Sequence, residues 1–114
     1  MASRDVKKLL FDIRQAGELI TSFVRGRSHQ DYQGDRMLQS AVERQFEIIG
    51  EALRQAVDID PVLEKKLSAA RRIIDFRNRL IHGYADISTL VVWGIIEERL
   101  PILGAEVQKL LDEP

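Results

Sequence analysis

The sequence predicts an all-α protein, an antiparallel helical bundle of four main helices plus a short C-terminal helix. Three observations carry that prediction. Apolar residues recur at three- and four-residue spacing along nearly the whole chain. Gly, Pro and Asp residues punctuate the pattern where a helix must start or stop. No second convincing strand exists to pair with the single β-branched run, Ile87 to Ile96.

In the first segment, Val6, Leu9, Leu10, Ile13, Ala16, Ile20, Phe23 and Val24 mark one helix face. Ser3 suits the N-cap, Asp5 the first turn, and Gly26 a left-handed stop, giving a helix of about 20 residues, or roughly 30 Å. The stretch GRSHQDYQGD reads as a loop that turns the chain back. A second helix follows on Leu38, Ala41, Val42, Gln45, Ile49, Ala52 and Ala56, its stripe widened by Phe46, Ile48, Leu53 and Val57. It ends before DIDP, because Pro61 disfavours helix at Asp60 and can itself open the next one.

From Pro61 the spacing predicts one continuous third helix through Leu63, Leu67, Ala70, Ile73, Ile74, Arg77, Leu80 and Ile81, stopped by Gly83. Asp86 or Ser88 can cap a fourth over TLVVWGIIEERL, and Pro101 is expected to separate it from a short fifth with Ile102 or Leu103, Val107, Leu110 and Leu111 inward. There is no repeat or long linker, so residues 1–114 are read as a single domain. The wide apolar faces of the first two helices in so small a chain point to a homodimer.

Composition narrows the function. Seventeen Lys and Arg against eighteen Asp and Glu give a net charge of -1, so any affinity for phosphate must be local. The absence of cysteine excludes disulfides and thiolate chemistry and fits a cytoplasmic setting. The N-terminus lacks the apolar core of a signal peptide, and the longest apolar run is half of the roughly 20 residues a membrane helix needs. No membrane partner is expected.

The eight residues RNRLIHGY, Arg77 to Tyr84, stand out. With Arg71, Arg72, Arg77 and Arg79 against Asp75 alone, this helix carries a local positive excess. Arginines in the last turns of a helix also simply oppose its macrodipole, and a lone histidine there is most often a cap. The combination weighs against that bland reading: His82 offers an imidazole that can give or take a proton, Arg77 a fork for phosphate oxygens, Asn78 an amide and Tyr84 a phenol. Asn78 and His82 share a face, whereas Arg77 and His82 lie roughly 140° apart on an ideal helix. Convergence requires either loosening near Gly83 or an arginine of one subunit meeting the histidine of another.

RNRLIHGY resembles the signature of the HEPN (higher eukaryotes and prokaryotes nucleotide-binding) superfamily, an arginine, often followed by asparagine, four to six residues before a histidine. Tyr84, two residues after His82, resembles the HepT-like branch, the toxin half of a bacterial toxin–antitoxin pair. RQFEIIGEAL, Arg44 to Leu53, and VVWGIIEERLPIL are similar to the flanking segments of that branch, so the resemblance spans nearly the whole chain.

The resemblance implies an endoribonuclease that needs no metal or other cofactor, acting on RNA with Arg77, Asn78 and His82 as catalytic residues. Arg72, Arg79, Glu47 and Glu51 are candidates to support the site or bind RNA. For Arg44, Glu47 and Glu51, an exposed ladder of charge pairs, each worth about 0.2–0.5 kcal/mol, serves at least as well. No histidine–carboxylate cluster stands at metal-ligand spacing. The resemblance further implies a minimal nucleotidyltransferase antitoxin that transfers AMP onto Tyr84. The alternative is a non-catalytic helical dimer that binds a nucleotide or holds the nucleotidyltransferase.

Overall fold

The computed structural model describes residues 3–83 and 87–114, and every described element is helical. The first helix, α1 (Arg4–Val24), starts where Ser3 accepts a hydrogen bond from the Val6 amide, and the chain turns away through Gly26 at φ 74°. The expected loop holds a short helix instead, α2 (His29–Gln33). Its sequence cue lies within the polar run: Ser28 caps the Asp31 amide while Asp31 returns a bond to the Ser28 amide. This turn places Tyr32 wholly inside the protein, 5.6 Å ring to ring from Trp93.

Helix α3 (Arg36–Ile59) is capped by the Asp35 carboxylate and ends at Asp60, as DIDP requires. The expected third helix is broken. A single turn, α4 (Leu63–Lys66), is followed by a bend at Leu67 before α5 (Ala70–His82). A contact from far along the chain stabilises the interruption: Glu106 accepts bonds from the Ser68 amide at 3.1 and 3.2 Å and from its hydroxyl at 3.0 Å. No local pattern in residues 61–83 reveals that partner.

The last two expected helices run on without a separation at Pro101. After α6 (Thr89–Gly94), capped by Ser88, a π-helical turn (Ile95–Arg99) leads straight into α7 (Leu100–Leu111). The Leu100 amide reaches back five residues to the Ile95 carbonyl, and Pro101, which has no N–H to donate, follows directly on that widened turn.

Helix α3 packs against α1 on one side and α5 on the other, α7 returns onto α1, and α2 braces α6. Their apolar stripes meet in a continuous core that includes Leu10, Ile20, Phe46, Leu53, Ile73 and Leu103. Phe46 meets Phe76 edge to face at 5.3 Å, which joins α3 to α5 two residues from Asn78. Among the described residues no helix is long and apolar enough to cross a membrane.

Candidate active site

Helix α5 carries the motif, and α3 holds one end of it. A Cβ placed on Gly50 would lie 2.2 Å from the Arg77 Cβ and 2.6 Å from its Cγ. Only glycine leaves room there, so the arginine stem crosses α3 in direct contact with its backbone. The guanidinium is consequently well fixed. Its Nη2 lies 3.1 Å from Glu51 Oε1, its Nη1 donates to Asn78 Oδ1 at 3.1 Å, and its Nε is buried without a partner among the described residues.

Glu51 is held in turn. Arg54 donates to both of its oxygens at 3.0 and 2.7 Å, and Gln55 donates at 2.9 Å. Those bonds, with the positive charges of Arg54 and Arg77, outweigh partial burial and bring the Glu51 carboxyl down to about 2. The carboxylate therefore stays ionised and keeps the arginine in place. Arg54, which also binds Asp58 at 3.0 Å, and Gln55 are positioning residues that the sequence reading passes over. Their signal is present as i,i+3 and i,i+4 spacing from Glu51, but such spacing is common on any exposed helix.

Arg77 opens on a cleft of about 400 Å³ between α1, α3 and α5, bordered by Asp12, Arg44, Glu47, Glu51 and Ile81. Arg44 and Glu47 pair at 3.3 Å on its rim, as the ladder of charges requires. Burial first, and then the Glu47 charge, push the neighbouring Glu43 carboxyl up.

His82 is placed differently. It occupies the last residue of α5, exposed, and is not among the residues that line the Arg77 cleft. The helix stays regular through His82, and Gly83 leaves in an extended conformation, its amide bonded to the Arg79 carbonyl at 2.8 Å. The structure thus brings Arg77, Asn78, Glu51 and Glu47 to one region and leaves His82 outside it. Arg72 and Arg79 are exposed on the opposite flank of α5. Tyr84 lies outside the described residues. Trp93 belongs to the core, packed on Tyr32. His29 stands 3.2 Å from the Thr89 hydroxyl, joining α2 to α6.

A bundle that carries an Arg-Asn pair and a histidine five residues after the arginine on one helix falls in the class of HEPN domains. The chain belongs to the ribonuclease HepT-like family, whose profile matches residues 13–110. It is similar to "Putative RNase MJ1380" of Methanocaldococcus jannaschii, 32% identical over 110 residues that cover 95% of this chain and 98% of that one. It is also similar to "Probable ribonuclease HepT" of Thermococcus cleftensis, 35% identical over 107 residues, with 94% and 96% covered. A third relative, "Putative RNase TTE0752" of Caldanaerobacter subterraneus subsp. tengcongensis, is 30% identical over 103 residues, 89% of each chain. No solved structure matches the chain significantly.

Proposed function

We propose that this chain is a metal-independent endoribonuclease and the toxin of a toxin–antitoxin pair, with its reaction centre completed between two copies. The observation that carries the reading is the split of the motif, a fixed Arg77 on one flank of α5 and an exposed His82 beyond it. In the reaction, a ribose 2′-oxygen bonds to the adjacent phosphorus and the bond to the 5′-oxygen breaks. A base takes the 2′-hydroxyl proton, an acid returns one to the departing 5′-oxygen, and the products are a 2′,3′-cyclic phosphate and a 5′-hydroxyl.

Two proton-transfer groups are needed, and each chain supplies one motif histidine. In a homodimer, two copies of His82 act as base and acid, Arg77 stabilises the phosphorane and Asn78 orients it. Ile81, an exposed apolar residue that borders the cleft, supplies surface for such pairing. The antitoxin is a minimal nucleotidyltransferase that transfers AMP from ATP to the Tyr84 hydroxyl with release of pyrophosphate, adding negative charge and bulk two residues along the chain from His82 and so opposing RNA.

One observation favours a second reading, a helical dimer that binds a nucleotide or the nucleotidyltransferase without turnover. Both terminal nitrogens of Arg77 are already engaged, by Glu51 and Asn78. The test compares the unsubstituted chain with Arg77→Ala, His82→Ala and Tyr84→Phe on total cellular RNA in excess chelator, with mass measured in parallel. Cleavage that vanishes in the first two variants and persists in the third supports the nuclease. A folded dimer that cleaves nothing supports the binding module.

A further inference from the structure

We propose that the groove between α5 and the α6–π-turn segment is the track for the RNA strand flanking the cleaved bond, with Arg72, Arg79 and Arg99 contacting successive phosphates. The inference rests on the ribonuclease reading and adds to it the surface that holds the substrate.

The groove consists of two adjoining hollows, about 90 and 130 Å³, which share Arg72, Val91 and Ile95. Arg79 borders the first and Arg99 the second. Among the described residues, Arg14, Arg27, Arg44, Arg54, Arg71 and Arg77 each hold a carboxylate, whereas Arg72, Arg79 and Arg99, like Arg4, Arg25 and Arg36 elsewhere on the surface, form no ion pair, and only the first three of these six share one groove. An arginine without a carboxylate partner keeps its full fork for phosphate oxygens.

Charge separates the two sides of α5. The Arg77 cleft sets Asp12, Glu47 and Glu51 against Arg44 and Arg77, a net negative lining that offers a polyanion little hold beyond the one phosphate at Arg77. The groove sets Arg72, Arg79 and Arg99 against Asp75 and Glu98, a net positive one. Helix geometry places His82 on the groove side, because it lies roughly 60° around the axis from Arg79 and roughly 140° from Arg77. A strand lying on these arginines therefore leads to the histidine.

The groove is also built for close approach. Gly94 lines it, and a Cβ there would meet nothing within 4 Å, so its smallness serves no contact inside the chain. Within a helix a glycine is less stable than an alanine, so the choice carries a cost. Directly after it the π-helical turn ends at Arg99, a local irregularity of the kind often found at functional sites.

The test measures binding of a labelled single-stranded RNA of fifteen nucleotides to the His82→Ala chain, which cannot turn it over, across a range of salt concentrations. Arg72→Ala and Arg99→Ala, each added to that background, are expected to weaken binding about three- to tenfold and to flatten the salt dependence by about 0.7 per lost phosphate contact. Arg36→Ala, which removes the same charge at the exposed start of α3, is the control and leaves both unchanged. In the active chain, Arg99→Ala raises KM for the oligonucleotide, whereas Arg36→Ala leaves it as it was.

Equal effects of Arg36→Ala and Arg99→Ala overturn the track, because only net charge is then at work. A loss of dimer mass in Arg72→Ala or Arg99→Ala also overturns it and assigns the groove to a second copy of the chain. If the unsubstituted chain cleaves no RNA but the two variants still lose binding, the ribonuclease reading fails and the track stands.

Discussion

Arg77 and His82 lie five residues apart on one helix, yet opposite physics builds them. The arginine side chain is 21% exposed, wedged against the α3 backbone at Gly50 and tied to a carboxylate that Arg54 and Gln55 hold ionised. The histidine is exposed at the last residue of α5, beyond the α3 contact that fixes its neighbour. On the proposed reaction, a single chain therefore prepares the half of the site that would receive charge and leaves the half that would transfer protons on its surface. Proton transfer tolerates that arrangement because a histidine is useful only once something is placed against it. Stabilising a phosphorane depends on donors aimed beforehand, which is what the α3 contact achieves.

The sharpest way to break this comparison is to remove each half separately. His82→Ala is expected to lower RNA cleavage by at least about 100-fold while shifting stability by no more than about 0.5 kcal/mol, as for other exposed sites. Arg77→Ala should lose cleavage to a similar degree and also about 1–3 kcal/mol of stability, since Glu51 loses a partner and the buried stem is deleted. Denaturant unfolding beside the cleavage assay checks both. If the two variants are equally stable, the proposed asymmetry is wrong.

Next in size is Gly50→Ala. Its added methyl collides with the Arg77 stem, so α3 and α5 must part or the arginine must swing away. Overpacking of this kind costs about 1–3 kcal/mol. Cleavage should fall along with stability, unlike His82→Ala, where only cleavage falls. An alanine variant that melts and cleaves like the parent would show that α3 does not set the arginine.

Some of this was legible in the sequence. Periodicity and caps locate α1 and α3 closely, because Ser3 and DIDP act on residues next to them in the chain. What failed depended on partners distant in sequence or on compensation within the backbone. The break before Ala70 is stabilised by Glu106, 38 residues beyond Ser68. Pro101 interrupts nothing because the π turn before it absorbs the change in helix pairing. The α2 helix was hidden by a polar composition that a buried Tyr32 overrides. At the site, residue types named the motif, but the Arg54–Glu51–Arg77 chain of contacts needed three dimensions. Arg99 gave no signal at all, since only folding brings it beside α5.

A subtler test addresses the carboxylate that holds Arg77. The Glu51 pKa falls from an ordinary 4.5 to about 2 on folding, so its ionised form stabilises the protein above pH 4.5, and that contribution is lost as pH falls toward about 2. Glu51→Gln should therefore cost about 1 kcal/mol near neutrality, a modest figure because the side chain is 32% exposed and solvent screens the pair. The difference from the parent should shrink below pH 4.5 and vanish near pH 2. A gap that persists at pH 2 would assign the loss to packing and not to charge.

The smallest expected effect concerns the rim. Arg44 and Glu47 form an i,i+3 pair with the arginine 68% exposed, an arrangement worth about 0.2–0.5 kcal/mol. Arg44→Ala should change stability by no more than that. It also removes one of the two positive charges lining the Arg77 cleft, which makes that lining more acidic. If substrate approaches along the other flank of α5, KM for a long RNA should stay within about twofold, because charges farther apart than a Debye length of about 8 Å are largely screened. A several-fold rise in KM for Arg44→Ala would instead show that the strand itself, and not the reacting phosphate alone, runs through the cleft.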